Sequence, residues 1–328
     1  MIFTCRNCGG NVVFSPEKQK MYCPYCEGED CEESIVKPTT VTQCSNCGGE
    51  IQINEYTSSS KCSYCGQHIV FDERVTGAYE PQLILPFKIG KEDAKKLMRD
   101  TFSKKIFAPD SFLSEVKLNS MEGMYVPFWL YDYDTNYDYE GKGTKVRVWR
   151  SGNTEYTETS YYTIQRNMDV AFDKVPVDAS FALNDEIMDL MEPYKYGELI
   201  DFSPKYMSGF FGEIYNDTAD NLESRAKQKA ENDAEGLLKS SISGYTTVTP
   251  IRKNLRMQKK GTHYTLFPVW LYMYTYRGKT YRYHVNGQTG KVIGTVPVSV
   301  AKVCAYGATL AASFATIGLL VRTILEIL

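Results

Sequence analysis

The sequence predicts an α+β fold in three parts, and three observations support this. A Cys-x2-Cys pair, fourteen residues and a second Cys-x2-Cys pair occur twice within the first 65 residues. Antiparallel strands with alternating aromatic side chains, separated by helical segments, fill the middle of the chain. A 19-residue segment without charge, Val303–Val321, lies near the C-terminus. We expect cysteine-rich units at 1–36 and 40–76, a tyrosine-rich domain at 81–296 and a C-terminal helix at 297–328.

Composition confines the cysteines to one region of a nearly neutral chain. Nine of the ten cysteines lie within the first 65 residues, and Cys304 is the remaining one. The first residues lack the charged and apolar regions of a signal peptide, so we expect the thiols to stay reduced and available to a metal. The chain has only three histidines, which disfavours histidine-based catalysis.

The paired cysteines of each unit predict a zinc ribbon. Four thiolates satisfy tetrahedral Zn²⁺, and a Cys-x2-Cys turn directs two of them at one point. Short strands are expected at Val12–Phe14 and Ile51–Ile53. Because such a small unit cannot bury enough apolar area to fold alone, metal binding should supply its folding free energy. We predict two structural zinc ions per chain, held by Cys5, Cys8, Cys23, Cys26, Cys44, Cys47, Cys62 and Cys65.

Two other uses of these cysteines stay open at this stage. A rubredoxin-like iron site is one, because Cys23–Cys26 has the sequence Cys-Pro-Tyr-Cys. Disulfides are the other, although they conflict with the missing export signal. Cys31 is interpreted as a bystander thiol, and His68 as a spare ligand that four thiolates make unnecessary.

The charge of the cysteine-rich units argues against nucleic acid as their partner. Residues 1–80 contain six Lys and Arg against eleven Asp and Glu, a net charge of −5 that becomes −9 with two zinc–tetrathiolate centres of charge −2 each. Nucleic-acid affinity rests largely on cations that neutralise phosphates. We therefore expect the units to dock proteins, with nucleic-acid binding in replication or transcription as the alternative.

The C-terminal segment predicts a single membrane span. Nineteen residues at a helical rise of about 1.5 Å cover about 28 Å, close to the thickness of the hydrocarbon core. A buried helix of a globular domain is the alternative. Arg282, Lys291 and Lys302 precede the segment, whereas only Arg322 follows it within reach, so the preceding side should be cytoplasmic. The bulk of the chain would then lie in the cytoplasm, attached to the inner membrane.

Small residues on the same segment predict association with another helix. They recur every four residues, a spacing that lets two helices approach closely in a membrane. The partner would be a second copy of the chain or a different membrane protein. The residues are Gly307, Ala311 and Ala315 on one row and Ala308, Ala312 and Thr316 on the next.

The middle of the chain predicts antiparallel sheet packed against helices. Trp129, Tyr131 and Tyr133 alternate along one strand and should share a face that packs on helices. A groove for a ligand or a peptide is the alternative use of this face. A Pro-x-Trp-Leu-Tyr sequence begins at Pro127 and again at Pro268, which predicts an internal β repeat.

Helical periodicity appears in three segments of this domain. The segments are Lys91–Lys105, Asn184–Met191 and Thr218–Ile242. Apolar residues of the longest segment follow steps of three or four, which predicts one narrow packing stripe. The stripe comprises Ala219, Leu222, Ala226, Ala230, Ala234 and Leu237.

No catalytic constellation emerges from the sequence, and we predict a non-enzymatic protein. Gly278-Lys279-Thr280 has the ending of a phosphate-binding loop, but Met273 stands where its first glycine should be. His263 and His284 are isolated among strand residues and are interpreted as packing or surface groups. A set of alternating carboxylates suggests a cation site or, more simply, a polar strand face. The set comprises Asp132, Asp134 and Asp138.

The order of these motifs resembles a known family. The tandem Cys-x2-Cys units, PFWLYDYD, LFPVWLY, VNGQTGKVIG and the hydrophobic tail are similar to bacterial membrane-associated proteins with a transcription-factor-IIB-type zinc ribbon. Some members carry the name replication restart primosomal helicase, yet this chain has no phosphate loop. The resemblance implies a zinc-binding, membrane-attached adaptor that brings partner proteins to the membrane.

Overall fold

A computed structural model describes residues 1–35, 43–44, 46–51, 53–181 and 183–327. Its strands are β1 (Ile2–Cys5), β2 (Val13–Ser15), β3 (Lys20–Tyr22), β4 (Glu32–Ile35), β5 (Thr57–Lys61), β6 (His68–Val70), β7 (Leu83–Ile84), β8 (Glu122–Ser151), β9 (Thr154–Asp178), β10 (Ile200–Asp201), β11 (Phe211–Glu213), β12 (Thr247–Tyr276), β13 (Lys279–Asn286) and β14 (Val292–Gly294). Its helices are α1 (Lys91–Phe102), α2 (Glu115–Leu118), α3 (Asp185–Leu190), α4 (Ala219–Ser241) and α5 (Val300–Ile327). The predicted limits at residues 36, 40 and 328, and Gln52 of a predicted strand, lie outside the described residues.

Three long antiparallel strands form the spine of the structure. β8 and β12 have 30 residues each and β9 has 25, with β8 between the other two. Trp129 of β8 lies opposite Tyr264 of β12 and Val177 of β9. Within the described residues, these strands pair only with one another beyond residue 140 of β8. We call this extension, residues 140–166 of β8 and β9 and 247–252 of β12, the blade.

Shorter strands widen the sheet at the base of the blade. Their order is β10-β7-β12-β8-β11-β5-β6, and β13 and β14 continue from β12. β11 joins the second cysteine-rich unit to the spine, because Gly212 lies opposite both Ser59 of β5 and Tyr125 of β8. A side chain at position 212 would collide with Met207 and Ser58, so this close approach requires glycine. The β5–β6 hairpin is thus part of the main sheet.

The strand prediction for the second cysteine-rich unit is wrong. Ile51 and Ile53 lie outside the assigned strands, and β5 and β6 form the hairpin instead. The physical reason is that β5 finds ladder partners on both sides, whereas Ile51 is buried against Cys44 and Cys62. In the first unit β2 begins at Val13, within the predicted segment, and pairs with β3.

The first cysteine-rich unit also docks onto the body of the protein. Its β1 pairs with β4, and the backbone N–H of Val70 donates to the carbonyl of Met1 at 3.0 Å. Ser208 accepts from the N–H of Phe14 at 2.9 Å and donates its hydroxyl to the carbonyl of Val12 at 2.6 Å. The two units are therefore fixed to each other and to the sheet by backbone hydrogen bonds.

Helix α4 covers one face of the spine. Tyr131 and Tyr133 are fully buried beneath it, packed against Ala226 and Ala230. The small alanine side chains let the helix approach the tyrosine rings closely. The predicted stripe needs one correction, because Leu238 rather than Leu237 is buried. Position 238 is four residues after Ala234 and so continues the four-residue spacing of the buried alanines.

The opposite face of the spine packs on shorter elements. Phe128 and Leu130 are buried with Met188 of α3. Helix α1 ends at Phe102, three residues before the predicted end. The side chain of Phe102 contacts the rings of Phe112 and Tyr283 at centroid distances of 5.8 and 5.6 Å. Aromatic packing of this kind holds the base of the sheet together.

Helix α5 begins against the body and then extends from it. The N–H of Ser299, just before the helix, donates to the carbonyl of Phe107 at 2.8 Å. Lys302 pairs with Asp110 at 2.5 Å, and the ring of Tyr306 meets that of Phe107 at 5.6 Å. From Gly307 to Glu326 the apolar side chains are exposed. The helix is long and apolar enough to cross a membrane.

Candidate metal centres

Each Cys-x2-Cys pair folds into the same tight turn. The N–H of the residue after the second cysteine donates to the carbonyl of the first, for example from Gly9 to Cys5 at 2.8 Å. That residue adopts a positive φ in all four turns, at Gly9, Glu27, Gly48 and Gly66. Three of the four are glycine, the residue that adopts this conformation at least cost. The shared geometry directs both sulfur atoms of each pair toward one point.

The first four-cysteine cluster brings together Cys5, Cys8, Cys23 and Cys26. Their sulfur atoms lie within 4.8 Å of one another. The distance is 3.5 Å between Cys5 and Cys26 and 3.5 Å between Cys8 and Cys23. Tetrahedral Zn²⁺ with bonds of about 2.3 Å places its sulfur ligands about 3.8 Å apart, so the cluster could hold such an ion.

The second four-cysteine cluster comprises Cys44, Cys47, Cys62 and Cys65. These sulfur atoms also lie within 4.8 Å of one another, with 3.6 Å between Cys44 and Cys65 and 3.7 Å between Cys47 and Cys62. The nearby His68 is not among the grouped ligands. Burial lowers the pKa of His68 to about 4, so its ring is neutral at pH 7. Both clusters thus offer four sulfur atoms and no other ligand type.

One edge of each cluster faces solvent. The first cysteine of every pair is buried and the second is exposed. Backbone N–H groups point at the sulfur atoms, from Asn7 to Cys5 and from Gly10 to Cys8 at 3.4 Å each. Such bonds stabilise thiolates and favour metal binding.

An exposed tyrosine lies at the same position of each cluster. Tyr25 precedes Cys26 and Tyr64 precedes Cys65, and each side chain is 73% exposed. Their rings lie against Gly10 and Gly49, where a Cβ atom would collide with the ring. Each cluster therefore presents one aromatic ring, fixed in place, beside its exposed sulfur atoms.

Comparison with known proteins gives a relative over almost the whole length. The Bacillus subtilis (strain 168) protein named "Uncharacterized protein YdjG" is 35% identical over 315 residues, which cover 93% of this chain and 92% of that protein. The chain belongs to the YdjG family. No family model and no solved structure matches it.

The other residues considered in the sequence do not converge on one site in this YdjG-family protein. Asp132 contacts His263 at 3.1 Å, Asp134 pairs with Lys260 at 2.9 Å, and Asp138 accepts from Asn167 at 2.6 Å. Each carboxylate has its own partner, so these three do not form a shared cation site. Asp132 and His263 are 131 positions apart in the sequence, so no local sequence pattern predicts their contact.

His284 is a packing residue, as the sequence suggested. It is 2% exposed within the base of the sheet. Burial lowers its pKa to about 4, and the neighbouring charge of Arg282 acts in the same direction. His284 is therefore neutral at pH 7.

An ion cluster between α3, α4 and the end of β9, buried at Asp178 and open to solvent at Asp185, was not predicted from the sequence. Arg225 of α4 contacts Asp178 at 2.8 Å, Asp185 at 2.9 Å and Asp189 at 3.0 Å. Burial raises the pKa of Asp178 to about 6, although Arg225 opposes the shift. The cluster holds α4 against the end of β9, because unpaired charges at such depth would be costly.

Proposed function

We propose that this protein is a non-enzymatic, membrane-anchored cytoplasmic adaptor that holds two zinc ions and recruits partner proteins. The observation that carries the proposal is the exposed apolar length of α5, whose first turn is fixed to the folded body by Lys302 and Tyr306. Water does not stabilise such a surface, whereas a bilayer does.

Zinc is the metal we assign to both four-cysteine clusters. Four thiolates in a closed set match structural Zn²⁺, and no open coordination position is left for catalysis. Both units then are zinc ribbons of the type found in transcription-factor-IIB-like proteins. An internal repeat between the strands at Pro127 and Pro268 stays a prediction.

The docking surface that we assign to partners surrounds Tyr25 and Tyr64. Exposed aromatic rings held in place by the backbone are frequent anchors in protein interfaces. The net negative charge of residues 1–80 favours a partner with a basic surface.

The experiment compares partner recruitment by three full-length variants in membranes. Tyr25→Ser combined with Tyr64→Ser removes both rings and leaves all cysteines in place. Tyr161→Ser is the matched control, because Tyr161 is 78% exposed and lies on the blade. We expect proteins that co-purify with the wild type to be lost from the double variant and from Cys44→Ser, and kept by the control. Equal recovery from all variants would contradict the proposal.

The charges beside the membrane anchor α5 predict its orientation in the membrane. The small residues on α5 form a surface that fits a second helix. Three cations precede the uncharged segment Val303–Val321 and one follows it, which favours a cytoplasmic body. Gly307, Ala311 and Ala315 form an exposed row on the helix. This row would let α5 pack on a second copy or on another membrane helix.

The blade favours nucleic-acid binding as a second candidate function. Its two ranges contain six Lys and Arg against three Glu. Lys145 lies over the rings of Tyr162 and Tyr245 at 5.4 Å each, and the stacked rings of Trp149 and Tyr156 lie 5.6 Å apart. Alternating cations and exposed rings suit single-stranded nucleic acid, which stacks on aromatics and pairs with cations. This surface is remote in sequence from the acidic cysteine-rich units.

Oligonucleotide binding at several salt concentrations separates the two candidates. Nucleic-acid binding predicts affinity that falls steeply with salt and at least tenfold weaker binding for Lys145→Glu combined with Arg147→Glu. Lys96→Glu combined with Lys104→Glu, at two exposed positions outside the blade, controls for the change in net charge. Binding that is absent, or unaffected by the blade variant, would remove this candidate.

A further inference from the structure

A fifth thiol lies against the first four-cysteine cluster. Cys31 is 8% exposed, and its sulfur lies 3.3 Å from that of Cys5. This distance is no longer than the 3.5 Å between the ligands Cys5 and Cys26. Two backbone contacts fix the position of Cys31: Cys5 pairs with Glu32 in the β1–β4 ladder, and the N–H of Arg6 donates to the carbonyl of Cys31 at 2.9 Å.

The first unit makes room for this thiol at Gly28. A Cβ atom at position 28 would lie 2.9 Å from the sulfur of Cys31 and 3.5 Å from that of Cys26. The first distance is shorter than real Cβ contacts, so any larger residue would displace Cys31. Glycine therefore permits the fifth thiol to lie in contact with Cys5 at the edge of the cluster.

The second unit provides an internal comparison. At the period of 39 residues that relates the cysteines, Gly28 corresponds to Gln67 and Cys31 to Val70. Val70 is 1% exposed and packs as an apolar residue. The two clusters thus have equivalent sets of four ligands, but among the described residues only the first has a fifth sulfur within contact distance.

We propose that Cys31 is an alternate zinc ligand of the first cluster, able to take the position of Cys5. The inference rests on the proposed zinc at that cluster. Zn²⁺ has no geometric preference from its d-electrons, so a sulfur at contact distance can enter as another leaves. As the bond to Cys31 forms, its thiol releases a proton, and Cys5 takes up a proton as its bond breaks. The charge of the centre is −2 before and after the exchange, and no oxidant is needed.

This exchange makes the two centres unequal. The second centre keeps one fixed ligand set, whereas the first alternates between two sets that share Cys8, Cys23 and Cys26. Release of Cys5 also frees the end of β1, which pairs with β4. The first centre should therefore release zinc to a competing chelator faster than the second.

Zinc retention by full-length protein in detergent tests the proposal. The variants are Cys5→Ser, Cys8→Ser, Cys44→Ser and Cys5→Ser combined with Cys31→Val, each dialysed against a chelator. We expect about two zinc ions per chain for Cys5→Ser and about one for each of the others. Cobalt-substituted Cys5→Ser should also keep the charge-transfer absorption of a four-thiolate site. Zinc loss from Cys5→Ser equal to that from Cys8→Ser would overturn the proposal.

Cys31→Val in the otherwise unchanged chain gives a second readout that does not depend on losing a ligand. Valine is already tolerated at the corresponding Val70, so the variant should fold. We expect this variant to keep two zinc ions. It should transfer the zinc of the first centre to the chelator several-fold more slowly than the wild type does. Equal rates would overturn the proposal. A wild-type chain without zinc would instead refute the proposed metal centres themselves.

Discussion

Gln67 donates a hydrogen bond from Nε2 to Oδ1 of Asn11 at 2.7 Å, and so connects the two cysteine-rich units through side chains. Gln67 is 6% exposed, so the bond lies in a largely dry interface. The two units therefore fold as neighbours in contact, and their stabilities should be coupled.

A double-mutant cycle measures that coupling. Asn11→Ala and Gln67→Ala should each destabilise the zinc-loaded protein, with a coupling energy of about 0.5–1.5 kcal/mol in urea unfolding. A control cycle pairs Gln67 with Asn136 of β8, which lies outside both cysteine-rich units. Gln67→Ala combined with Asn136→Ala should be additive, and coupling of the same size in both cycles would contradict the assignment.

Loss of one ligand of the second cluster should remove one zinc ion. Cys44→Ser is expected to lower the zinc content of the full chain from two ions to about one, as measured by elemental analysis. Because β5 follows in the same unit and pairs with β11, protease cleavage near residues 57–61 should also accelerate. Cys304 lies on α5, away from both clusters, so the Cys304→Ser variant should retain two zinc ions. A similar loss of zinc from this variant would indicate nonspecific unfolding.

Overpacking beneath α4 should destabilise the spine. Ala230 is fully buried against Tyr131 and Tyr133, so Ala230→Leu has no space for its added atoms. We expect a loss of about 1–3 kcal/mol in the free energy of unfolding. Leu237→Ala on the same helix, at a position 45% exposed, should change it by less than about 1 kcal/mol. A larger effect at Leu237 would contradict the observed orientation of α4.

The raised pKa of Asp178 predicts a specific pH dependence. Its folded-state pKa of about 6 exceeds the ordinary value of 3.8, so the folded protein binds the proton more tightly than the unfolded chain does. The contribution of this carboxyl to stability therefore falls as the pH rises from about 4 to about 6, by up to about 3 kcal/mol. Unfolding at several pH values should show this slope in the wild type and not in Asp178→Asn.

Asp185→Asn is the control for that slope. Asp185 contacts the same Arg225, but its side chain is 62% exposed, and solvent screens the interaction. The variant should therefore keep the wild-type pH dependence. A slope that disappears in both variants would assign the effect to Arg225 rather than to burial of Asp178.

Membrane fractionation tests the anchor. The full chain should sediment with membranes and resist a high-salt wash, whereas a chain ending at Val296 should be soluble. If both chains are soluble, α5 is an oligomerisation or core helix, and recruitment to a membrane fails as a function. If both sediment, another surface binds the membrane.

The sequence specified local features well and long-range contacts poorly. Each Cys-x2-Cys turn depends on neighbouring residues, and α4 begins and ends within one residue of the predicted limits because its periodicity is local. By contrast, the joining of β5 to β8 depends on β11, a three-residue strand with no pattern of its own. Likewise, Cys31 looked like a bystander because its approach to Cys5 follows from the β1–β4 pairing, which spacing alone does not reveal.

The blade extends far from the base of the sheet. α5 leaves the body beside Phe107, and Phe112 of the same segment packs on Tyr272, close to where β8 begins. Gly152 lies in the turn between β8 and β9, thirty residues after Glu122. At about 3.3 Å per residue, this length of strand spans at most about 100 Å. With α5 in a bilayer, any ligand of the blade is confined to a layer of about this thickness above the membrane. Its effective concentration there would rise even if each individual contact were weak.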